Sequence, residues 1–453
     1  MKFIWFFFIL QVLKINGWLF NIKFGPRFNV AERQHRNHIK NNIHELSSVR
    51  GFYGLIGPDV TVHNKTTLYE LFTGDGVVQG AFIDKGKITF LRHLVRTDKL
   101  LYEIENGRIP ENMVVKMVFM FFHVFNMLPN ILGLANTALF KVDDKIMALF
   151  ERDLPYLLNV DFENKTIETV KKMHIPSMKS FSAHSKFSKS RGVQTLDYNV
   201  LKHEINYLEL NEKMDIQYKK SIRTKYLPVV HDFLATDLSV TICDAPIVVD
   251  FYSFFENKIP VRFDTNQKTQ FHVLRHNDSI VQKYIADCAF YIFHYVAGFE
   301  NNDRIEFFAA VYENLDFNEL NIHGKYRKII LHKSNKTATM EHNPVLESMN
   351  LDFPICFKDK IVLRNVENKM IREFVICQGL RILKRIQIKN RFICGEPVIV
   401  EGTPFLACFA NDLFENKSYL ILVNLDTYKI TEIPTGLPKF SVGFHGFYTH
   451  EYL

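Results

Sequence analysis

The 453-residue chain has six cysteines and no Cys-x-x-Cys pair, which argues against a zinc ribbon or a dithiol redox motif. Cys243, Cys288, Cys356, Cys377, Cys394 and Cys408 sit mostly in apolar runs such as FVICQ and PFLACFA. That is the setting of buried, reduced thiols, and it favours a cytoplasmic compartment. Lys and Arg are scattered without a stripe, and the net charge is only +7, so nucleic acid is not an expected partner. A weak pull toward an anionic membrane surface remains compatible with that charge. The sequence also lacks His-Glu-x-x-His, any Ser-His-Asp-like arrangement and any paired-carboxylate signature, so zinc-protease and hydrolase chemistry have no foothold. No apolar run is long enough to cross a bilayer with confidence. Met1–Phe20, MKFIWFFFILQVLKINGWLF, is interrupted by Lys14 and followed by no A-x-A-like cleavage site. It reads either as a signal or anchor or as an interfacial, docked segment.

What is present is ordinary globular material, 47% hydrophobic and 23% charged, with no Pro-, Gly- or Ser-rich linker to divide it. Phenylalanine is abundant, at 42 residues, which fits either an aromatic-lined cavity or a core that simply uses Phe. From Gly51 onward, runs of Val, Ile, Phe and Tyr alternate with turn signals. IDKGKIT, KVDDKIM, VDFENKTIET and NLDTYKIT each predict a strand, a tight turn and a returning strand. Hairpins recurring over 400 residues suggest stacked four-stranded sheets, although no tidy repeat shows itself. The exception is Met113–Leu134, where an apolar stretch rich in Met, Phe and Val predicts a helix stopped by Pro129. Lys116, His123 and Asn126 break it too often for a membrane span, so it either dips into one leaflet or packs as an insertion on the sheet.

Four histidines stand in similar apolar settings: His184 in SFSAHSKF, His231 in LPVVHDFLA, His294 in YIFHYVAGFE and His445 in SVGFHGFYTH. Singly, each reads as an ordinary core or edge residue. Together they are good ligands for a divalent iron, but only a closed scaffold could bring such distant elements to one axis. His63, His123 and His174 read as surface or structural residues, and the Asn-x-Ser/Thr triplets at Asn64, Asn164 and Asn416 are expected by chance in an Asn-rich chain.

These motifs, in order, resemble the carotenoid cleavage oxygenase family: LFTGDGVVQGAFI, LVRTD, ANTALFKVDDKIMALFERDLPY, SFSAHSKF, VVHDF with DAPIVVDF, FHYVAGFE, MNLDFP, CGEPV and GFHGF. The resemblance implies an all-β, seven-bladed β-propeller over residues 46–453 with a short apolar helical insertion on one face, after an N-terminal apolar or interfacial segment over residues 1–45. It implies Fe(II) held by His184, His231, His294 and His445, with supporting carboxylates at Glu151, Glu396 and Asp352. Many relatives carry Glu at the last position, and the shorter Asp arm calls for a bridging water or a backbone shift. Ala297-Gly298 stands where the family typically has Asn-Ala, close to His294. The Pro-Asp-Pro-Cys-Lys stretch of animal members is absent after Tyr102, and ANTALF and ERDLPY look more like plant and microbial enzymes. The implied reaction is dioxygenase cleavage of a C=C bond in a carotenoid or apocarotenoid substrate with O2, at a membrane surface met by Met113–Leu134. Retinoid isomerisation, stilbene-type cleavage and non-catalytic binding are the alternatives.

Overall fold

The computed structural model describes residues 35–39, 43–59, 72–110, 113–123, 125, 127–250, 252–253, 259–276, 278, 280–319, 322–367 and 370–451. The expectations for Met1–Phe20, His63 and Asn64 lie outside these residues. The four anticipated hairpins form as read. Each turns through a residue in the left-handed region, at Lys85 and Gly86, Asp143, Lys165 and Tyr428 respectively.

The strands assemble into seven blades in chain order, each antiparallel within itself, with blades 4 and 5 joined into one sheet where Ile285 and Ala286 pair in parallel with Thr337 and Ala338. Blade 1 joins Arg50–Pro58, Gly76–Asp84 and Lys87–Leu94 with the outer strand His35–Ile39 and, on its inner side, the last strand His445–His450. Blade 2 comprises Ala138–Val142, Lys145–Leu149, Tyr156–Asp161 and Thr166–Lys172. Blade 3 runs through Lys186–Ser188, Gly192–Asn199, Glu204–Leu210 and Ile216–Arg223. Blade 4 uses Leu234–Ala235, Ser239–Asp244, Gln270–Arg275 and Val281–Ala286, and blade 5 uses Tyr291–Glu300, Arg304–Tyr312, Lys325–His332 and Thr337–Glu341. Blade 6 is Leu351–Phe357, Lys360–Glu367, Met370–Gln378 and Arg381–Gln387. In blade 7 both Arg391–Ile393 and Val398–Ile399 pair with Phe405–Asp412, followed by Ser418–Asn424 and Ile430–Pro434.

The packing shows that the ring is closed. Seven apolar clusters lie one between each neighbouring pair of blades, whereas an open row of seven sheets would have only six interfaces. Phe52 and Leu139 mark the seam of blades 1 and 2, Leu149 and Leu208 that of 2 and 3, and Leu196 and Ile242 that of 3 and 4. Phe271 and Phe307, then Tyr326 and Leu363, then Phe374 and Leu406 continue the series. Tyr53, stacked on Phe409 at 4.6 Å, closes blade 7 onto blade 1. Fully burying each such side chain contributes about 1.5–3 kcal/mol, so the seams carry much of the fold's stability. Phe52, Phe82, Phe90, Phe181, Phe233 and Phe271 are fully buried here, so much of the phenylalanine serves as core. Outer strands are polar instead: Ile216–Arg223 alternates, with Lys219 and Arg223 among its solvent-side residues, which blunts an otherwise pairable edge.

The division expected between residues 45 and 46 does not follow the hydrogen bonds, because His35–Ile39 pairs with Lys87–Leu94 in blade 1. Asp98–Ile131 belongs to a second compact unit. It holds helix α1, Asp98–Asn106, and helix α2, Met113–His123, packed through Tyr102 and Phe119 at 5.7 Å. Among the described residues no helix is long and apolar enough to cross a membrane.

Candidate metal centre

Inner strands of most neighbouring blades touch one another, and the chemistry sits on that inner ring. His184 and His231 lie just before the inner strands of blades 3 and 4, His294 lies within that of blade 5, and His445 opens that of blade 1. Their ligand atoms all fall within 4.8 Å of one another. His184 Nε2 is 3.0 Å from both His231 Nε2 and His445 Nε2.

The other blades supply carboxylates. From the turn after Lys145–Leu149 in blade 2, Glu151 Oε1 accepts from His231 Nδ1 at 2.5 Å. Asp352, on the inner strand of blade 6, accepts from His294 Nδ1 at 2.8 Å and from the Tyr312 hydroxyl at 2.5 Å. Glu396 in blade 7 accepts from His445 Nδ1 at 3.0 Å and from the Gly446 N–H at 3.0 Å. Each blade therefore contributes one group, four imidazoles and three carboxylates in all.

The doubt over Asp352 is resolved by the backbone. The strand slips register between Asp352 and Ile355, and Phe353 adopts φ +57°, so the short arm reaches His294 directly without a bridging water. Ala297-Gly298 makes a second bulge, with Ala297 at φ +51°. A Cβ on Gly298 would lie 2.5 Å from Leu234 Cδ1, so glycine lets the strand bearing His294 lie against the one after His231. His294 keeps its carboxylate through that change.

Tautomers follow from these bonds. With Nδ1–H donated outward, His231, His294 and His445 turn Nε2 lone pairs inward. Converging lone pairs repel, and His294 Nε2 is buried with no hydrogen-bond partner among the described residues. A cation at their focus removes both penalties. Metal–imidazole bonds of about 2.0–2.1 Å would set cis nitrogens roughly 3 Å apart, the spacing seen around His184. The donor set therefore fits a bound metal.

Electrostatics agree. Burial, then the neighbouring imidazoles, hold His184 well below the usual histidine range, and burial keeps His445 low despite Glu396. Burial also opposes the His294 cation, but Asp352 outweighs it and raises this imidazole. Burial would lift Glu151, Asp352 and Glu396, yet their imidazole partners hold all three below the ordinary carboxylate range.

Two further residues, Asp232 and Tyr312, support the site. Asp232, next to His231, bonds Lys186 Nζ at 2.7 Å and the Tyr295 N–H at 3.0 Å, tying together the segments that carry His184, His231 and His294. An acidic residue directly after a candidate ligand histidine was the available clue. Tyr312 lies 40 residues from Asp352 and offered none. His123 bonds Leu128 O at 3.2 Å, a local contact. A cavity of about 420 Å³ beside Glu396 is lined by Ile355, Cys356, Val398, Glu401 and Tyr448 among others. Two carboxylates in that lining do not match an apolar tunnel for a polyene.

The fold and the site together define a class: a seven-bladed β-propeller that gathers four imidazoles into a site able to bind a metal. The family described as retinal pigment epithelial membrane protein matches residues 47–450. The chain belongs to that family, the carotenoid oxygenases. It is 24% identical over 314 residues to the carotenoid 9,10(9′,10′)-cleavage dioxygenase 1 of Phaseolus vulgaris, covering 63% of this chain and 57% of that one. With the corresponding dioxygenase of Crocus sativus it shares 25% identity over 296 residues, 61% of this chain and 53% of the relative. The match therefore spans just over half the length of these relatives. In structure it is similar to the lignostilbene dioxygenase of Pseudomonas brassicacearum, with TM-score 0.76 and 16% identity over 92% of this chain and 96% of the other. The cobalt-substituted Synechocystis apocarotenoid oxygenase matches with TM-score 0.76 at 15% identity, covering 96% and 98%.

Proposed function

We propose that this protein is an iron(II)-dependent dioxygenase that cleaves a C=C bond of a carotenoid or apocarotenoid with O2, giving two carbonyl products. The observation that carries the reading is the convergence of His184, His231, His294 and His445 on the propeller's inner ring, three of them oriented by carboxylates. Family membership and the names of the curated relatives support the substrate class.

Neutral imidazoles suit iron(II) and leave its charge uncompensated by ligands. Bound iron(II) would supply the dioxygen chemistry, in which each atom of one O2 ends on one carbon of the broken bond. The chain's own part is positioning. Glu151, Asp352 and Glu396 hold the Nδ1 protons outward and fix each ring's orientation. Phe293, 5.5 Å from His231, and Phe353, 4.4 Å from His294, wall the imidazoles with apolar surface that excludes water. No protein nucleophile or general base is required.

The same reading places the protein in the cytoplasm, peripherally on a membrane that supplies the insoluble substrate. Within Met113–Leu134, exposed Met117, Met120, Phe125 and Met127 would meet that surface. Deleting this segment should abolish liposome binding while leaving metal uptake intact; unchanged binding would contradict the membrane role.

Turnover decides the activity. Iron-loaded protein given β-carotene or an apocarotenal under isotopically labelled dioxygen should yield two aldehyde or ketone fragments, each carrying label. A product of unchanged mass would indicate isomerisation. Labelled fragments from a stilbene alone would move the substrate class, and iron bound without any turnover would indicate a binding protein.

A further inference from the structure

Charge around the histidines points to one more residue. Glu151, Asp352 and Glu396 each accept an imidazole proton and stand as carboxylates. Asp232 is matched by Lys186 at 2.7 Å. Arg152, next to Glu151, is only half-buried, with solvent to screen it.

Arg364 is different. It is 5% exposed, and it lies directly opposite Asp352 on the adjacent strand of blade 6. Cross-strand partners project on the same face of a sheet, so the two side chains emerge together. The guanidinium carbon sits 3.3 Å over the Phe353 ring centroid, and that ring packs on His294 at 4.4 Å and His445 at 5.2 Å. Its Nε is buried with no hydrogen-bond partner among the described residues. A buried guanidinium without a contact ion pair is costly, so a structural salt bridge does not account for it. Burial lowers it to about 10, against the pull of Glu396 and Asp352, which leaves it a cation at neutral pH. Three carboxylates against one guanidinium leave two negative charges, the complement of a divalent ion.

We propose that Arg364 is a positioning residue for the metal centre: its charge, seated on Phe353, matches the cluster to a divalent metal and disfavours the trivalent state. Through-space coupling at this range is strong in a low-dielectric interior, and it acts on both metal affinity and reduction potential. The proposal rests on the reading of the site as a divalent-metal centre.

The test compares wild type, R364M and R364K, titrated with Co(II) against a chelator and, in the iron form, by redox titration. R364M should bind Co(II) on the order of tenfold more tightly and shift the iron midpoint potential negative. R364K, which keeps the charge, should stay within about twofold of wild type. A merely structural arginine would give the opposite sign, with R364M binding more weakly and no shift in potential, and that result overturns the proposal. If R364M does not fold, R364K decides alone, since a tenfold loss there means that guanidinium shape rather than charge matters. Wild type that takes up neither Co(II) nor iron overturns the metal reading itself. Wild type that binds, while R364M fails to tighten, overturns this proposal alone.

Discussion

Blade 3 and blades 1, 4 and 5 each deliver one histidine to the centre, but they hold it by different means. His231, His294 and His445 lean on Glu151, Asp352 and Glu396. Among the described residues, no carboxylate accepts from the His184 ring. Its backbone N–H bonds Ser182 Oγ at 3.2 Å, and Ser185 Oγ bonds Ser182 O and Thr195 Oγ1, each at 2.8 Å. Three of the proposed ligands are thus fixed through their rings by charge, and the fourth through its backbone by a hydroxyl network. A carboxylate raises ligand basicity as well as orienting the ring, whereas a hydroxyl network only orients. The comparison suggests that one softer ligand is tolerated because three are strongly held.

The largest effect should come from breaking a charged support. Asp352→Ala leaves the His294 Nδ1–H and the Tyr312 hydroxyl unpaired in a buried setting. Metal affinity is expected to fall about 10- to 100-fold, read by chelator competition. An unchanged affinity would mean that the carboxylates do not support the ligands. A smaller effect follows for blade 3. Ser182→Ala removes a neutral hydrogen bond, and affinity should fall only about two- to fivefold in the same assay. If Ser182→Ala cost as much as Asp352→Ala, the contrast between the two kinds of support would be lost.

The smallest effect is away from the metal, at the clasp between blades 4 and 5. Glu300 accepts from Thr236 and Ser239 of the blade 4 hairpin and pairs with Lys333 at 2.7 Å. Burial would raise its carboxyl, but the Lys333, Ser239 and Thr236 hydrogen bonds hold it below the usual range. A depressed folded-state value contributes stability above the unfolded value, and that contribution is lost as pH falls through the folded one. Metal-free wild type should therefore exceed Glu300→Gln in thermal stability near about pH 7, with the gap closing on acidification below about pH 4. A gap that widened in acid would contradict the assignment.

Much of this was legible in the residues. Turn chemistry at Lys85-Gly86 and Asp143-Asp144 announced hairpins because only a few residue types accept left-handed backbone. The four histidines were visible as candidates, but what joins them is ring closure, a property of seven apolar seams and not of any local pattern. Asp352 marks the limit most sharply. Its reach depends on a bulge and on a left-handed Phe353, and nothing in NLDFP signals a phenylalanine with positive φ. Tyr312 and Arg364 were equally hidden, since cross-strand and inter-strand partners depend on register, which the alternation of side chains leaves open.

The central claim is that four imidazoles converge to hold one metal. Metal content measured anaerobically on purified wild type and His231→Ala tests it directly. About one iron per wild-type chain, and little or none in the variant, is the predicted result. Equal iron in both proteins, or none in either, would contradict it.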